Sequence, residues 1–95
     1  MADKRYSIIV SSLDYCIVCG RPHPHKHEVF FGNKRTLSIK YGMVIPLCYE
    51  HHEGNDSPHK DREIDLQYKK KAQEIWESTY GTREDFIRIF GKSYL

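Results

Sequence analysis

Four residues in the first half of the chain have the types and the spacing of a zinc site. Cys16 and Cys19 form a Cys-x-x-Cys pair, and two thiolates so spaced in a tight turn can both reach one ion at about 2.3 Å. Cys48 and His51 lie three residues apart, so a helical turn would point both side chains the same way. The sequence therefore predicts a structural Zn²⁺ held by three thiolates and one imidazole, with His52 as an alternative to His51.

Such an ion would clamp the two ends of residues 20–47 together. A chain of 95 residues buries only about 60–65% of the surface that its unfolded form exposes, so a further source of stability is expected. Binding of a structural zinc ion contributes directly to the folding free energy. Since three cysteines cannot all pair within one chain, metal binding is favoured over disulfides, and a redox role for the Cys-x-x-Cys pair is the alternative.

Six histidines are many for this length, and three of them lie where a second site could form. His27 opens the first predicted strand, and His52 and His59 follow the second, so a hairpin would bring them close. An imidazole has an ordinary pKa near 6.5 and can accept a proton at neutral pH. His23 and His25 lie in the segment Arg-Pro-His-Pro-His-Lys, where prolines favour an extended loop, and are interpreted as solvated residues.

The composition excludes several classes of protein. Hydrophobic residues make up 39% of the chain, and no apolar run approaches the roughly 20 residues of a membrane span. The N-terminal segment lacks the apolar stretch of a signal peptide, so a soluble protein of the cytoplasm is expected. The formal net charge of +2 is too small to hold nucleic acid by bulk charge, so any such binding must depend on local basic residues.

The elements that must position these side chains are predicted to be a hairpin followed by helices. Residues 27–31 and 43–47 are rich in β-branched and aromatic residues and predict two strands, with Pro46 acceptable at an edge. The connection over residues 32–42 is cationic and long enough to hold a helical turn. Residues 6–10 predict a further strand or an extended arm.

The second half of the chain is predicted to be a helical scaffold. Apolar residues recur at three- and four-residue steps over residues 61–80, which predicts an amphipathic helix that Gly81 ends. Thr82 and Asp85 form a variant of the capping box for a second helix, which Gly91 ends. Three aromatic residues at helical spacing are assigned to the core: Trp76, Phe86 and Phe90.

The order of these motifs resembles the HNH endonucleases of the ββα-metal superfamily. A Cys-x-x-Cys pair is followed by KHEVFFG at residues 26–32 and by IPLCYEHH at residues 45–52. The ending FGKSYL and the Lys-Tyr-Gly before the second strand extend the likeness to small phage-encoded members of that family. The resemblance covers residues 16–95 and implies one α+β domain, with a zinc-stapled ββα-metal core at 16–59 and two C-terminal helices at 60–95.

The resemblance implies hydrolysis of DNA phosphodiester bonds with one divalent cation. His27 would act as general base on a water molecule, while His52 and His59 would bind the metal together with Glu28 or His27. Imidazole ligands favour Mn²⁺, Ni²⁺ or Zn²⁺, although Mg²⁺ can act where DNA phosphate supplies oxygen ligands.

The sequence departs from the family pattern at two places. Glu28 stands where many relatives have a second histidine, so the roles of His27 and Glu28 can be exchanged, with Glu28 as metal ligand or base and His27 as an orienting residue. Successive strand residues point to opposite faces, so both can serve one site only at a strand end or a bulge. No asparagine lies between Tyr41 and Val44, where the middle residue of the family motif is expected.

DNA is the expected partner, through basic residues of the connection between the strands: Lys34, Arg35 and Lys40. The chain has little surface for base readout, so we expect low sequence specificity or a targeting partner such as a recombination protein. The family likeness implies a role in phage or mobile-element DNA processing, in a bacterial or phage-infected cell. The alternatives are a non-catalytic zinc-ribbon module that binds nucleic acid or protein, and a structural interaction domain. The protein is expected to be a monomer or a homodimer.

Overall fold

The computed structural model describes residues 5–95, which form an α+β fold with one two-stranded antiparallel sheet and four α-helices. In chain order the elements are β1 (His25–Glu28), α1 (Arg35–Tyr41), β2 (Val44–Leu47), α2 (Tyr49–Glu53), α3 (Arg62–Thr79) and α4 (Arg83–Phe90). A 3₁₀ turn, Gly32–Lys34, leads into α1. Over this part of the chain, no helix is long and apolar enough to cross a lipid bilayer.

The predicted hairpin is confirmed, with different bounds. In the register of the two strands, His27 lies opposite Ile45 and Glu28 lies opposite Val44. Strand β1 starts two residues earlier than predicted and ends at Glu28. Beyond Glu28, Val29 N–H still donates to the Met43 carbonyl at 3.0 Å, but Phe30 bonds to Ser38 of α1. The Ser38 hydroxyl of α1 accepts a hydrogen bond from the Phe30 backbone N–H and donates one to the Phe30 carbonyl, both at 2.9 Å.

The connection between the strands is more ordered than predicted. It contains the whole of α1, which ends at Gly42 with a φ of 72°. A side chain at Gly42 would be strained at this φ, and its Cβ would lie 2.7 Å from the Tyr6 ring. Of the strand or extended arm predicted over residues 6–10, the strand is not found: the segment is an arm that bends from residue 8 onward, and its Ile8 N–H donates to the Gly42 carbonyl at 3.0 Å.

The two predicted C-terminal helices are confirmed to within a residue. Helix α3 begins after Asp61, whose carboxylate caps it by accepting hydrogen bonds from the backbone N–H groups of Glu63 and Ile64. Helix α4 begins after Thr82, and the capping box between Thr82 and Asp85 is formed in both directions.

The core joins these helices to the hairpin through aromatic rings. Phe86 and Phe90 stack within α4 at 4.3 Å between ring centroids, and Trp76 of α3 meets Phe86 at 5.4 Å. Phe30 contacts Phe90 at 4.8 Å and is 1% exposed. Because Phe30 follows β1 by two residues, burial of its ring fixes the hairpin against the helical half and thereby positions the side chains of β1.

Candidate metal centres

Three cysteines and one histidine lie close enough together to share one metal ion. We call them the Cys₃His group: Cys16, Cys19, Cys48 and His51. Their ligand atoms all lie within 4.8 Å of one another, with the sulfurs of Cys19 and Cys48 at 3.6 Å. The Nδ1 atom of His51 lies 3.1 Å from the Cys48 sulfur and 3.7 Å from the Cys16 sulfur. Zinc bonds of 2.0–2.3 Å place neighbouring ligand atoms about 3.3–3.8 Å apart, so the group can bind a structural metal ion.

Local backbone structure explains why these four side chains meet. The Cys16 carbonyl accepts from Gly20 N–H at 2.9 Å, which closes the turn between the first two cysteines, and Gly20 has a φ of 76°. Cys48 is the N-cap residue of α2, so His51 lies one helical turn further on. Ile17 N–H donates to the Pro46 carbonyl at 3.0 Å, which holds the turn beside the end of β2.

The electrostatic surroundings of Cys16 favour a thiolate. Burial opposes ionisation of the sulfur, but hydrogen bonds from the backbone of Cys48, Cys19 and Val18 outweigh it and lower the pKa of Cys16 to about 6. The thiolate is the form that binds metal ions. Because Cys16 is already largely a thiolate at neutral pH, a metal ion that binds this group would release few protons from it.

Three histidines form a second group, which we call the three-histidine group: His27, His52 and His59. The ring centroids are 5.0 Å apart for His27 and His52, 5.2 Å for His27 and His59, and 4.8 Å for His52 and His59. The Nε2 atoms of His52 and His59 lie 3.2 Å apart, close to the separation of about 3.3 Å expected for two nitrogen ligands of one tetrahedral ion. The predicted approach of these rings is found.

The adjacent residues His51 and His52 belong to different groups. Successive residues of a helix point about 100° apart, so His51 turns to the three sulfurs while His52 turns to His27 and His59. The sequence left either histidine as the partner of the cysteines, and the geometry favours His51.

His27 has the environment of a metal ligand more than that of a base. The side chain is 1% exposed, and its Nε2 atom is buried without a hydrogen-bond partner. Burial, followed by the neighbouring His52 and His59, lowers the pKa of His27 to about 3, so the ring stays neutral near pH 7. A buried, neutral nitrogen with no partner suits a metal ion, whereas a general base must reach a water beside the substrate.

Glu28 lies beside the three-histidine group but is not one of its members. Its carboxylate accepts hydrogen bonds from Arg5 Nε at 2.8 Å and from Arg35 Nε at 3.1 Å. Burial raises the pKa of Glu28, but the Arg5 and Arg35 partners, with its own backbone, lower it overall, so the group is ionised at neutral pH. The charge of Glu28 raises the pKa of both His27 and His52 and so partly opposes the effect of burial on these two rings.

His25 is a site residue that the sequence interpretation missed. Its Nδ1 atom lies 2.8 Å from Nδ1 of His52, and the two rings meet edge to face at 4.9 Å. His25 is exposed, as expected of a solvated residue, but it is the first residue of β1 and does not belong to a loop. The signal was the spacing of His25 and His27, which puts both side chains on one face of a strand.

The three basic residues predicted to contact DNA do not lie together at the site. Arg35 pairs with Glu28 beside the three-histidine group. Lys34 lies against Gly91 at the end of α4, and the Lys40 ammonium lies 5.3 Å from the centre of the Tyr41 ring. Of these three residues, Arg35 is therefore the one with a direct geometric link to the candidate centre.

A surface cavity opens next to the three-histidine group. Its volume is about 360 Å³, and four residues line it: Tyr49, Glu53, His59 and Lys60. His59 is exposed and brings the group to the surface at this cavity, whereas His27 closes it from the interior. The group is therefore open on one side, as a site that admits substrate must be.

Comparisons of the chain with protein-family models, with curated proteins and with solved structures gave no match. The resemblance to HNH endonucleases accordingly stays a prediction. The observations that bear on function are the geometries of the two groups: the Cys₃His group offers four ligand atoms to one ion, whereas the three-histidine group offers three and is exposed at His59.

Proposed function

We propose that the protein is a metal-dependent endonuclease or nickase that hydrolyses phosphodiester bonds in DNA, on an HNH-type core. One observation carries the proposal: imidazoles from β1, from α2 and from the segment before α3 converge beside a separate Cys₃His group. A purely structural zinc module requires only the four ligands of the Cys₃His group. A second cluster of three histidines with an open position is typical of a catalytic metal site.

In this proposal the Cys₃His group holds a structural Zn²⁺, and the three-histidine group holds one divalent cation. The donor set fits such an ion, because His27 presents a buried nitrogen without a partner and the His52 and His59 nitrogens are 3.2 Å apart. Imidazole ligands favour Mn²⁺, Ni²⁺ or Zn²⁺ over Mg²⁺. When bound, the ion would supply positive charge to the phosphoryl oxygens and to the leaving oxygen.

The residues of β1 then take the exchanged roles that the sequence left open. His27 binds the metal, and Glu28 is the candidate for the proton acceptor that activates water. Arg5 and Arg35 hold the carboxylate in place and keep it ionised. Glu28 can serve the same site as His27, although strand neighbours point apart, because it is the last residue of β1.

DNA would approach over the cavity beside His59, where Lys60 offers positive charge. Arg35, which pairs with Glu28, is a further candidate for a phosphate contact. Contacts of this kind bind the phosphate backbone and carry no base information. Low sequence specificity, or a targeting partner in phage or mobile-element DNA processing, follows from this proposal. The contribution of Lys34 and Lys40 to DNA binding stays a prediction.

Nicking of supercoiled plasmid DNA at low salt tests the proposal. The wild type is compared with two variants, His59→Asn at the exposed metal ligand and Glu28→Gln at the proton acceptor, in Mn²⁺, Ni²⁺, Mg²⁺, Zn²⁺ and chelator. The control is His23→Asn, which replaces an exposed histidine outside both groups and tolerates its positive φ of 55°. Loss of an acid–base group costs about 10²–10⁴-fold in rate.

We expect metal-stimulated nicking by the wild type and the control, and a loss of at least 100-fold in both variants. Glu28→Gln should keep the metal affinity of the wild type, whereas His59→Asn should lose it. Equal nicking by all four proteins would indicate a contaminating nuclease. DNA binding without nicking in any metal would refute the proposal in favour of the non-catalytic zinc-ribbon module.

A further inference from the structure

His25 makes a contact that the proposed metal site does not itself require. It lies two residues before His27 on β1 and faces α2, where its ring meets the ring of His52. The contact joins Nδ1 to Nδ1 at 2.8 Å, which is a hydrogen-bond distance. At this distance one nitrogen must carry a hydrogen and the other must accept it.

The other nitrogen of His52 decides which one donates. Nε2 of His52 is turned to Nε2 of His59 at 3.2 Å, inside the three-histidine group. A neutral imidazole has a hydrogen on one nitrogen and a lone pair on the other. If Nε2 of His52 presents its lone pair to an ion, the hydrogen is on Nδ1, and Nδ1 of His25 is the acceptor.

We propose that His25 is a positioning residue that holds His52 in the tautomer with hydrogen on Nδ1 and fixes the plane of its ring for metal binding. The inference rests on the proposed metal site at the three-histidine group. His25 is not a member of that group, since it meets the nitrogen of His52 that is turned away from His59. Ligand histidines commonly donate their second N–H to such a partner, and loss of the partner costs about 10–100-fold in metal affinity.

Two substitutions separate this role from simple packing. His25→Asn keeps an oxygen acceptor near the position of Nδ1, whereas His25→Leu keeps a side chain of moderate size without an acceptor. His23→Asn again serves as the control, because it makes the same chemical change two residues away in the preceding loop. Since His25 is exposed, neither substitution leaves a buried cavity.

The first measurement is the tautomer of His52 by ¹⁵N NMR, on protein with zinc at the Cys₃His group and no other metal. We expect Nδ1–H in the wild type, in His25→Asn and in the control, and a shift away from it in His25→Leu. The second is calorimetric titration with Ni²⁺, where His25→Leu should bind about 10–100-fold more weakly and His25→Asn should recover most of that loss.

An unchanged tautomer in His25→Leu, or equal loss of Ni²⁺ affinity in His25→Leu and His25→Asn, would overturn the inference. Equal weakening by the His23→Asn control would do the same. If the wild type binds no Ni²⁺ beyond the Cys₃His group, the proposed metal site fails, and the inference about His25 falls with it. If Ni²⁺ binding follows the expected order but no DNA is cut, the inference stands and the nuclease proposal falls.

Discussion

The stability of the fold should depend on the concentration of free zinc, through the Cys₃His group. An ion that binds the folded state alone stabilises it by about 1.4 kcal/mol for each tenfold rise in free ion above the dissociation constant. In a domain of 60–100 residues, 1 kcal/mol shifts Tm by about 4–8 °C. Each tenfold rise in free zinc should therefore raise Tm by about 6–11 °C.

The contacts around the group indicate that the ion dominates the attachment of the Cys16–Cys19 turn. Beside the four ligands, this turn is tied to β2 by the Ile17 to Pro46 hydrogen bond of 3.0 Å, which contributes about 0.5–1.5 kcal/mol. The exposed ion pair between Arg21 and Glu50, at 3.9 Å, adds at most about 1 kcal/mol. Structural zinc binds small domains with about 10–16 kcal/mol, far more than these contacts together.

Thermal unfolding in zinc-buffered solutions, followed by circular dichroism, measures this dependence. Cys19→Ser removes one ligand at an exposed position and should remove most of the rise of Tm with zinc. Val18→Ala changes the neighbouring residue, which is 53% exposed, and should leave the rise intact. His59→Asn should also keep it, since His59 belongs to the other group. A Tm that is constant across the zinc buffers, or a full response in Cys19→Ser, would refute the assignment of the structural site.

Two further substitutions test how the hairpin is held to the helices. Ser38→Ala should lower the free energy of unfolding in urea by about 1–3 kcal/mol, because the buried backbone N–H and C=O of Phe30 lose their partner. The control Ser78→Ala, at an exposed position, should lower it much less. Equal losses would contradict this role of Ser38. Phe86→Ala should lower the free energy of unfolding by about 3–5 kcal/mol in the same measurement, because the ring is fully buried. Ile87→Ala, at a residue that is 40% exposed, is its control. A loss below 1 kcal/mol for Phe86→Ala would show that the aromatic core does not stabilise the fold.

Several features were predictable because they depend on residues close in sequence. The cap of α4 is one: Thr82 and Asp85 are three residues apart, and both hydrogen bonds form within one helical turn. The Cys₃His group is another, since each half of it lies within a single turn and zinc chemistry requires the halves to meet. The bounds of α3 followed from its apolar periodicity and from Gly81, which ends it, whereas the cap at Asp61 was found only in the structure.

Other features depended on contacts between distant segments and could not be predicted locally. The arm at residues 6–10 has the composition of a strand, yet it packs on Gly42 and the core and gains no strand partner in the two-stranded sheet. Strand β1 begins at His25 because that residue pairs with Leu47 of β2, a contact between distant parts of the chain. The choice between His51 and His52 likewise depended on the direction in which α2 leaves the sheet.

The sequence by itself determined the residue types of both groups, the spacing of the cysteines and the helices that support them, because these are properties of neighbouring residues. Only the tertiary structure decided that His25 contacts His52, that Nε2 of His27 is buried without a hydrogen-bond partner and that Glu28 is held by Arg5 and Arg35. Those contacts join β1 to α2, to α1 and to the N-terminal arm. Their geometry follows from strand register and core packing, which no single segment of the chain specifies.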